Sequence, residues 1–321
     1  MLIVLATSPR VAPGLLSWPA WEALRSAAAV FAPAGHPQLP ALDEAGIAYQ
    51  LAEAPGVAGL AADGDVVWLP EPGDDPPVPP GARLLRACAD LPGAHLIDLV
   101  ATMDRLRAEC PWDARQTHES LAPHLLEEPY EALEALESGD EQAFCDELGD
   151  TLLQVVFHAR IAAERDDGTS FTVDDVADGI VAKLVRRHPH VFADVTVSGA
   201  EEVKRNWDEI KREEKRARAG RQPEAGGQAA PSALDGVPFG QPALALAAQL
   251  QRRAARAGIP DELARFEDDL GYSGSADPGE DIGRELFRLV VKAREAGRDP
   301  EMELRAVAHR YRALVRAWER A

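Results

Sequence analysis

Cys110–Arg160 reads CPWDARQTHESLAPHLLEEPYEALEALESGDEQAFCDELGDTLLQVVFHAR, and the rest of the chain is organised around it. Between Arg115 and Arg160 it holds eleven carboxylates and no Lys or Arg. Glu127, Glu128 and Glu131 form E-E-x-x-E, and Glu147 with Asp150 forms E-x-x-D. Leu125, Leu126, Leu133 and Leu136 recur at helical spacing, as do Leu148, Leu152, Val155, Val156 and Ala159. Side chains three or four apart share a helix face. Glu127, Glu131 and Glu134 should therefore align away from the leucines, with Glu128 at their edge. Glu147, Asp150 and Gln154 should share a face of the second helix. Ser138-Gly139-Asp140 is a turn signal, so the two helices should run antiparallel.

A solvated acidic face normally interleaves Lys or Arg at i+4, and those partners are missing here. Carboxylates facing one another without cations repel. A hard divalent ion relieves this, and Mg²⁺ takes oxygen ligands while sharing its shell with substrate phosphates. The pattern points to Mg²⁺, with Mn²⁺ as the alternative occupant.

Working outward, Leu96–Arg107 repeats apolar residues as a helix before Cys110-Pro111 breaks it. Trp112 is placed either to stack on a nucleobase or to pin its loop into the core. Asp113 and Gln116 read as polar substrate contacts or as helix-start chemistry beside Thr117 and Ser120. Downstream, Thr172-Val-Asp-Asp175 is a capping-box pattern opening a helix through Arg187. Lys183, Arg186 and Arg187 fall within about one turn. They either complement the helix dipole or clamp phosphate oxygens beside the acidic pair, and the second reading is favoured for Lys183 and Arg187. Pro189 separates His188 from His190, which fit structural hydrogen bonding better than one metal. Val203–Arg218 is a densely charged helix anchored by Trp207 and Ile210.

Taken together, Cys110-Pro-Trp-Asp113, Gln116-Thr117, Leu126-Glu-Glu128, Tyr130-Glu131, Glu147-Leu-Gly-Asp150 and Arg186-Arg-His-Pro-His-Val-Phe192 resemble the MazG family of nucleoside triphosphate pyrophosphohydrolases. The resemblance covers about residues 96–218. It implies a mainly α-helical bundle in which Glu127, Glu128, Glu131, Glu147 and Asp150 hold Mg²⁺. It also implies hydrolysis of a nucleoside triphosphate between its α and β phosphates, Trp112, Lys183, Arg186 and Arg187 as substrate contacts, and a homodimer. Pro129 departs from the pattern: it removes a helix hydrogen bond at the Leu125 carbonyl, and a kink is expected there.

The remaining sequence sets limits. A net charge of −20 over 321 residues argues against nucleic-acid polymers, whose phosphates need a basic surface. Cys88, Cys110 and Cys145 are odd in number and scattered, as in a reduced cytoplasmic protein. No segment has the apolar length of a membrane span, and MLIVLATSP lacks a basic leader region. Residues 1–82 read as a small α/β domain, with a strand at Leu2–Ala6 and a helix at Trp18–Ala29, ending in a Pro-rich linker. Residues 83–218 form the catalytic helical domain, and 219–233 a Gly/Ala/Pro-rich connector. Residues 234–321 look like a degenerate repeat, because Asp281-Ile-Gly-Arg284 stands where Glu147-Leu-Gly-Asp150 does and only Glu267-Asp268-Asp269 precedes it. Two other readings stay open: a hydrolase for a modified nucleotide or alarmone, and a non-catalytic nucleotide-sensing or partner-binding module.

Overall fold

The structure, a computed structural model, describes residues 1–53, 64–219, 232–260, 263 and 278–320, with backbone alone at 215–219 and 278–281. The chain divides into two compact units, Met1–Lys211 and Arg212–Ala321.

The first unit begins with five parallel strands: β1 (Leu2–Ala6), β2 (Ala29–Ala32), β3 (Gln50–Leu51), β4 (Val66–Trp68) and β5 (Arg83–Arg86), in the order β3-β2-β4-β1-β5. Alternate residues serve opposite faces. Ile3, Leu5, Val67 and Leu69 pack with Ala20 and Leu24 of α1 (Trp18–Ser26) and Leu42 of α2 (Leu39–Glu44). Leu2 and Val4 pack with Phe31, Val66 and Trp68. Burial on both faces explains why these strands read as unbroken apolar runs. Helix α1 stops short of Ala29 because extended backbone at Ala27 leads into β2. The sheet also runs past residue 82, since β5 pairs with β1 and Ala87 joins the core behind it.

The helices follow in order: α3 (His95–Glu109), a 3₁₀ turn at Asp113–Arg115, α4 (His118–Ser138), α5 (Glu141–Ala162), α6 (Val173–Arg187), α7 (Pro189–Phe192) and α8 (Ala200–Ala219). Their ends are locally encoded. Thr117 and Ser120 form a capping box on α4, and Thr172 and Asp175 one on α6. Gly139 closes α4 at φ +75°, a left-handed position that favours glycine, and Asp140 caps α5 through the Ala143 amide. Helix α4 runs unbroken through Pro123 and Pro129.

Met103, Leu121, Val156 and Phe157 form the core joining α3, α4 and α5, each worth roughly 1.5–3 kcal/mol. Arg107 bolts the Cys110–Gln116 loop to the end of α5. Its guanidinium pairs with both Glu164 oxygens at 2.9 Å and donates to the Asp113 and Gln116 carbonyls. The expected apolar pattern is only partly inside: Val156 and Ala159 are buried, whereas Leu126 is exposed by 58%, Leu136 by 54% and Leu148 by 48%. The small residues Ala132, Ala135, Ala159 and Ala162 take the buried places, letting α4 and α5 approach closely.

The second unit contains α9 (Ala243–Arg256), α10 (Pro278–Glu295) and α11 (Pro300–Trp318). Ala247, Ala248 and Val290 form its core with Leu244 and Phe287. Arg284 lies on α10. Most of the 219–233 connector, all of Glu267-Asp268-Asp269 and the side chain of Asp281 lie outside the described residues.

Candidate active site

Helices α4 and α5 bring their carboxylates together where the chain turns back on itself. One oxygen each from Glu128, Glu147 and Asp150 lie within 4.8 Å of one another, the one such trio among the described residues. The helix phase differs from the sequence expectation. Buried positions on α4 run through Leu121, Ala132 and Ala135, and Glu128 falls on that side at seven residues from Leu121. Glu128 is thus central rather than peripheral. Glu131, one turn on, comes within hydrogen-bond reach of Glu147. Glu127 is rotated about 100° from Glu128; it is 59% exposed and lies 3.6 Å from His124 Nδ1, outside the trio.

Electrostatics mark the trio as unfinished. Burial first, then the charges of Asp150, Glu131 and Glu127, push the Glu128 carboxyl above its usual range. Burial, then Glu131 and Asp150, do the same to Glu147. Glu147 Oε2 is buried without a hydrogen-bond partner. An orphaned anionic oxygen facing other carboxylates suits a hard divalent cation, and the all-oxygen donor set suits Mg²⁺ or Mn²⁺. Further along α5, Thr151 Oγ1, Gln154 Oε1 and His158 Nε2 are likewise buried and unpartnered, places for ordered water. That line ends at His118, whose Nδ1 lies 2.8 Å from His158 Nδ1.

A carboxylate with a raised folded pKa costs stability above that pKa, and the cost fades as pH falls toward the unfolded value. In metal-free protein Glu128→Gln should therefore melt a few degrees above wild type near pH 8. The gap should close as pH approaches 4.5, the ordinary glutamate value. Melting curves in EDTA that show Glu128→Gln less stable than wild type at every pH would contradict this electrostatic picture.

The predicted substrate contacts divide. Trp112 is 55% exposed, with its ring edge-on to Phe157 at 6.4 Å. Gln116 is engaged locally: it donates to the Trp112 carbonyl and accepts from Ser120 Oγ, and Asp113 is buried. Lys183 and Arg187 open on a groove of about 410 Å³ between α6 and α8, which also takes Lys204 and Trp207. The Arg187 guanidinium sits 5.5 Å from the Trp207 ring centroid and Lys211 Nζ sits 4.5 Å from it. Arg186 does not line that groove, and neither does any member of the acidic trio. Sequence reasoning misses Trp207 as a site residue and makes it only an anchor of a charged helix. The signal that could find it is its helical spacing from Val203 and Ile210 beside alternating cations. His188 Nδ1 bonds the Leu184 carbonyl at 2.7 Å, the structural role expected of it.

Residues 116–192, which carry this acidic trio and the start of the cationic groove, match the model of the MazG nucleotide pyrophosphohydrolase domain. A Streptomyces cacaoi sequence described as an uncharacterized 26.1 kDa protein in the blaB 3' region is 46% identical over 243 residues, spanning 75% of this chain and 89% of that protein. The nucleoside triphosphate pyrophosphohydrolase of Mycolicibacterium smegmatis is 45% identical over 226 residues, 70% of this chain and 65% of that one. The Thermotoga maritima nucleoside triphosphate pyrophosphohydrolase/pyrophosphatase MazG is 38% identical over 225 residues, 67% and 81% of the two chains. The acidic trio on α4 and α5 falls inside the matched domain, and the chain belongs to the MazG nucleotide pyrophosphohydrolase family.

Proposed function

We propose that the protein hydrolyses nucleoside triphosphates to the monophosphate and pyrophosphate with Mg²⁺, as part of nucleotide-pool housekeeping in the cytoplasm. The observation that carries the reading is the convergence of Glu128, Glu147 and Asp150 around an orphaned buried oxygen. These three side chains are the ligands, and Glu131, within hydrogen-bond reach of Glu147, accepts the proton of the attacking water. A bound Mg²⁺ supplies Lewis acidity at the phosphoryl group and a lowered pKa for that water. Lys183 and Arg187 hold the leaving pyrophosphate, and their collection with Lys204 in one groove of a chain of charge −20 supports that role. The exposed Trp112 indole offers a stacking surface for the base. No helix among the described residues is long and apolar enough to cross a membrane, and Cys88, Cys110 and Cys145 are unpaired. The test is pyrophosphate release across the common ribo- and deoxyribonucleoside triphosphates with Mg²⁺; none released from any of them would overturn the proposal.

The homodimer belongs to the same reading. Leu148, Leu152 and Val155 form an exposed row on α5, and Leu125, Leu126 and Leu136 on α4 and Val181 on α6 are exposed as well. Exposed apolar rows of this kind mark an interface, and a second copy of the same helices would complete the bundle. Leu152→Glu should shift the protein from dimer to monomer in light scattering at micromolar concentration. A wild-type protein that is monomeric at those concentrations would contradict the assembly.

A further inference from the structure

Trp112 stands on a short loop whose place is set by polar contacts. The chain between α3 and α4 has a 3₁₀ turn at Asp113–Arg115 as its regular structure. Asp113 is buried there, but the Trp112 ring is more exposed than covered, so apolar packing does little to fix where the indole points. Gln116 Nε2 and the Arg115 amide donate to the Trp112 carbonyl, at 3.0 and 3.1 Å. Arg107 Nη1 donates to the carbonyls of Asp113 and Gln116, at the two ends of the turn.

The rest of the same guanidinium faces Glu164, just past the end of α5. Arg107 Nε and Nη2 donate to Glu164 Oε1 and Oε2, both at 2.9 Å, and Arg160 Nη1 donates to Oε1 at 3.1 Å. The Arg107 side chain is only 10% exposed. Its planar fork meets a carboxylate on one side and two carbonyls on the other, which the single ammonium of lysine cannot copy.

The place of this loop bears on the substrate. Trp112 meets Phe157 edge-on. Phe157 lies seven residues past Asp150 on α5, at nearly the same phase and about 10 Å along the axis. That separation is comparable to the reach of a nucleotide from its phosphates to its base. A displaced loop would therefore change the contact with the base and leave the proposed Mg²⁺ ligands where they are. We propose that Arg107 is a positioning residue for the nucleobase: by tying the Asp113 and Gln116 carbonyls to Glu164, it sets the Trp112 indole against the base. This rests on the triphosphate reading proposed above.

The experiment measures kcat and KM on the common triphosphate that wild type hydrolyses fastest, together with acrylamide quenching of tryptophan fluorescence. Subtracting the Trp112→Phe signal isolates the Trp112 indole, and this readout needs no turnover. Arg107→Lys keeps a cation beside Glu164 and loses the fork. It should raise KM about tenfold, keep kcat within about twofold of wild type, and make Trp112 easier to quench. In Trp112→Ala, which has no indole to place, the same substitution should change KM by less than about twofold. Glu164→Gln, which keeps a hydrogen-bonding oxygen without the charge, should move KM in the same direction by less, and it serves where Arg107→Lys does not fold. The positioning role is overturned if both variants keep the wild-type KM, if the loss falls on kcat, if it is as large in Trp112→Ala, or if Trp112 quenching is unchanged. Wild-type protein that releases no pyrophosphate overturns the proposed function instead, and quenching then still decides whether Arg107 places Trp112.

Discussion

Asp150→Asn should lower pyrophosphate release by about 10³-fold while leaving the melting temperature in EDTA at or above the wild-type value, the upper range for removing one electrostatic stabiliser. The reasoning separates catalysis from folding. Asp150 is exposed and makes no cap or core contact, so its charge contributes repulsion toward Glu128 and Glu147 in the metal-free fold. Removing that charge relieves the fold and deprives the proposed Mg²⁺ site of a ligand. Glu128→Gln should behave alike. If Asp150→Asn instead loses activity and fold together, the loss reports misfolding and the ligand assignment is unsupported.

Arg187→Ala should reduce kcat/KM by about 10²-fold, mostly through kcat, because contacts to a leaving pyrophosphate strengthen as the bond breaks. Metal affinity without nucleotide should barely change. The structure adds a competing role, since the guanidinium also rests on the Trp207 ring. Arg187→Lys tells the two apart. A point charge keeps part of the phosphate interaction but loses the planar fork, so activity should fall between wild type and Arg187→Ala. Equal activity in Arg187→Ala and wild type would remove this residue from the mechanism.

Much of the fold and the site is legible in the sequence, and the departures have physical causes. The capping residues Thr117, Asp140 and Thr172 and the turn at Gly139 act locally, so they set the ends of α4, α5 and α6 from sequence alone. The carboxylate set is visible because an acidic helix pair without interleaved cations is unfavourable unless a cation is supplied from outside. Helix phase is harder. The apolar spacing predicts one buried side on α4 and α5, whereas Ala132, Ala135, Ala159 and Ala162 fill much of it and Leu126, Leu136 and Leu148 stay exposed. That phase puts Glu128 at the edge and Glu127 at the centre, the reverse of the structure. Composition alone does not separate a buried face from one left exposed. The N-terminal boundary slips for another reason: the strand Arg83-Leu84-Leu85-Arg86 is half charged, and only its pairing with β1 makes it part of the sheet.

Phosphorus NMR of the products formed from a nucleoside triphosphate, with Mg²⁺ and then with excess EDTA, tests the central claim most directly. The account predicts pyrophosphate and nucleoside monophosphate in equal amounts with Mg²⁺, and no turnover in EDTA. Orthophosphate with nucleoside diphosphate, or turnover undiminished by EDTA, would contradict it.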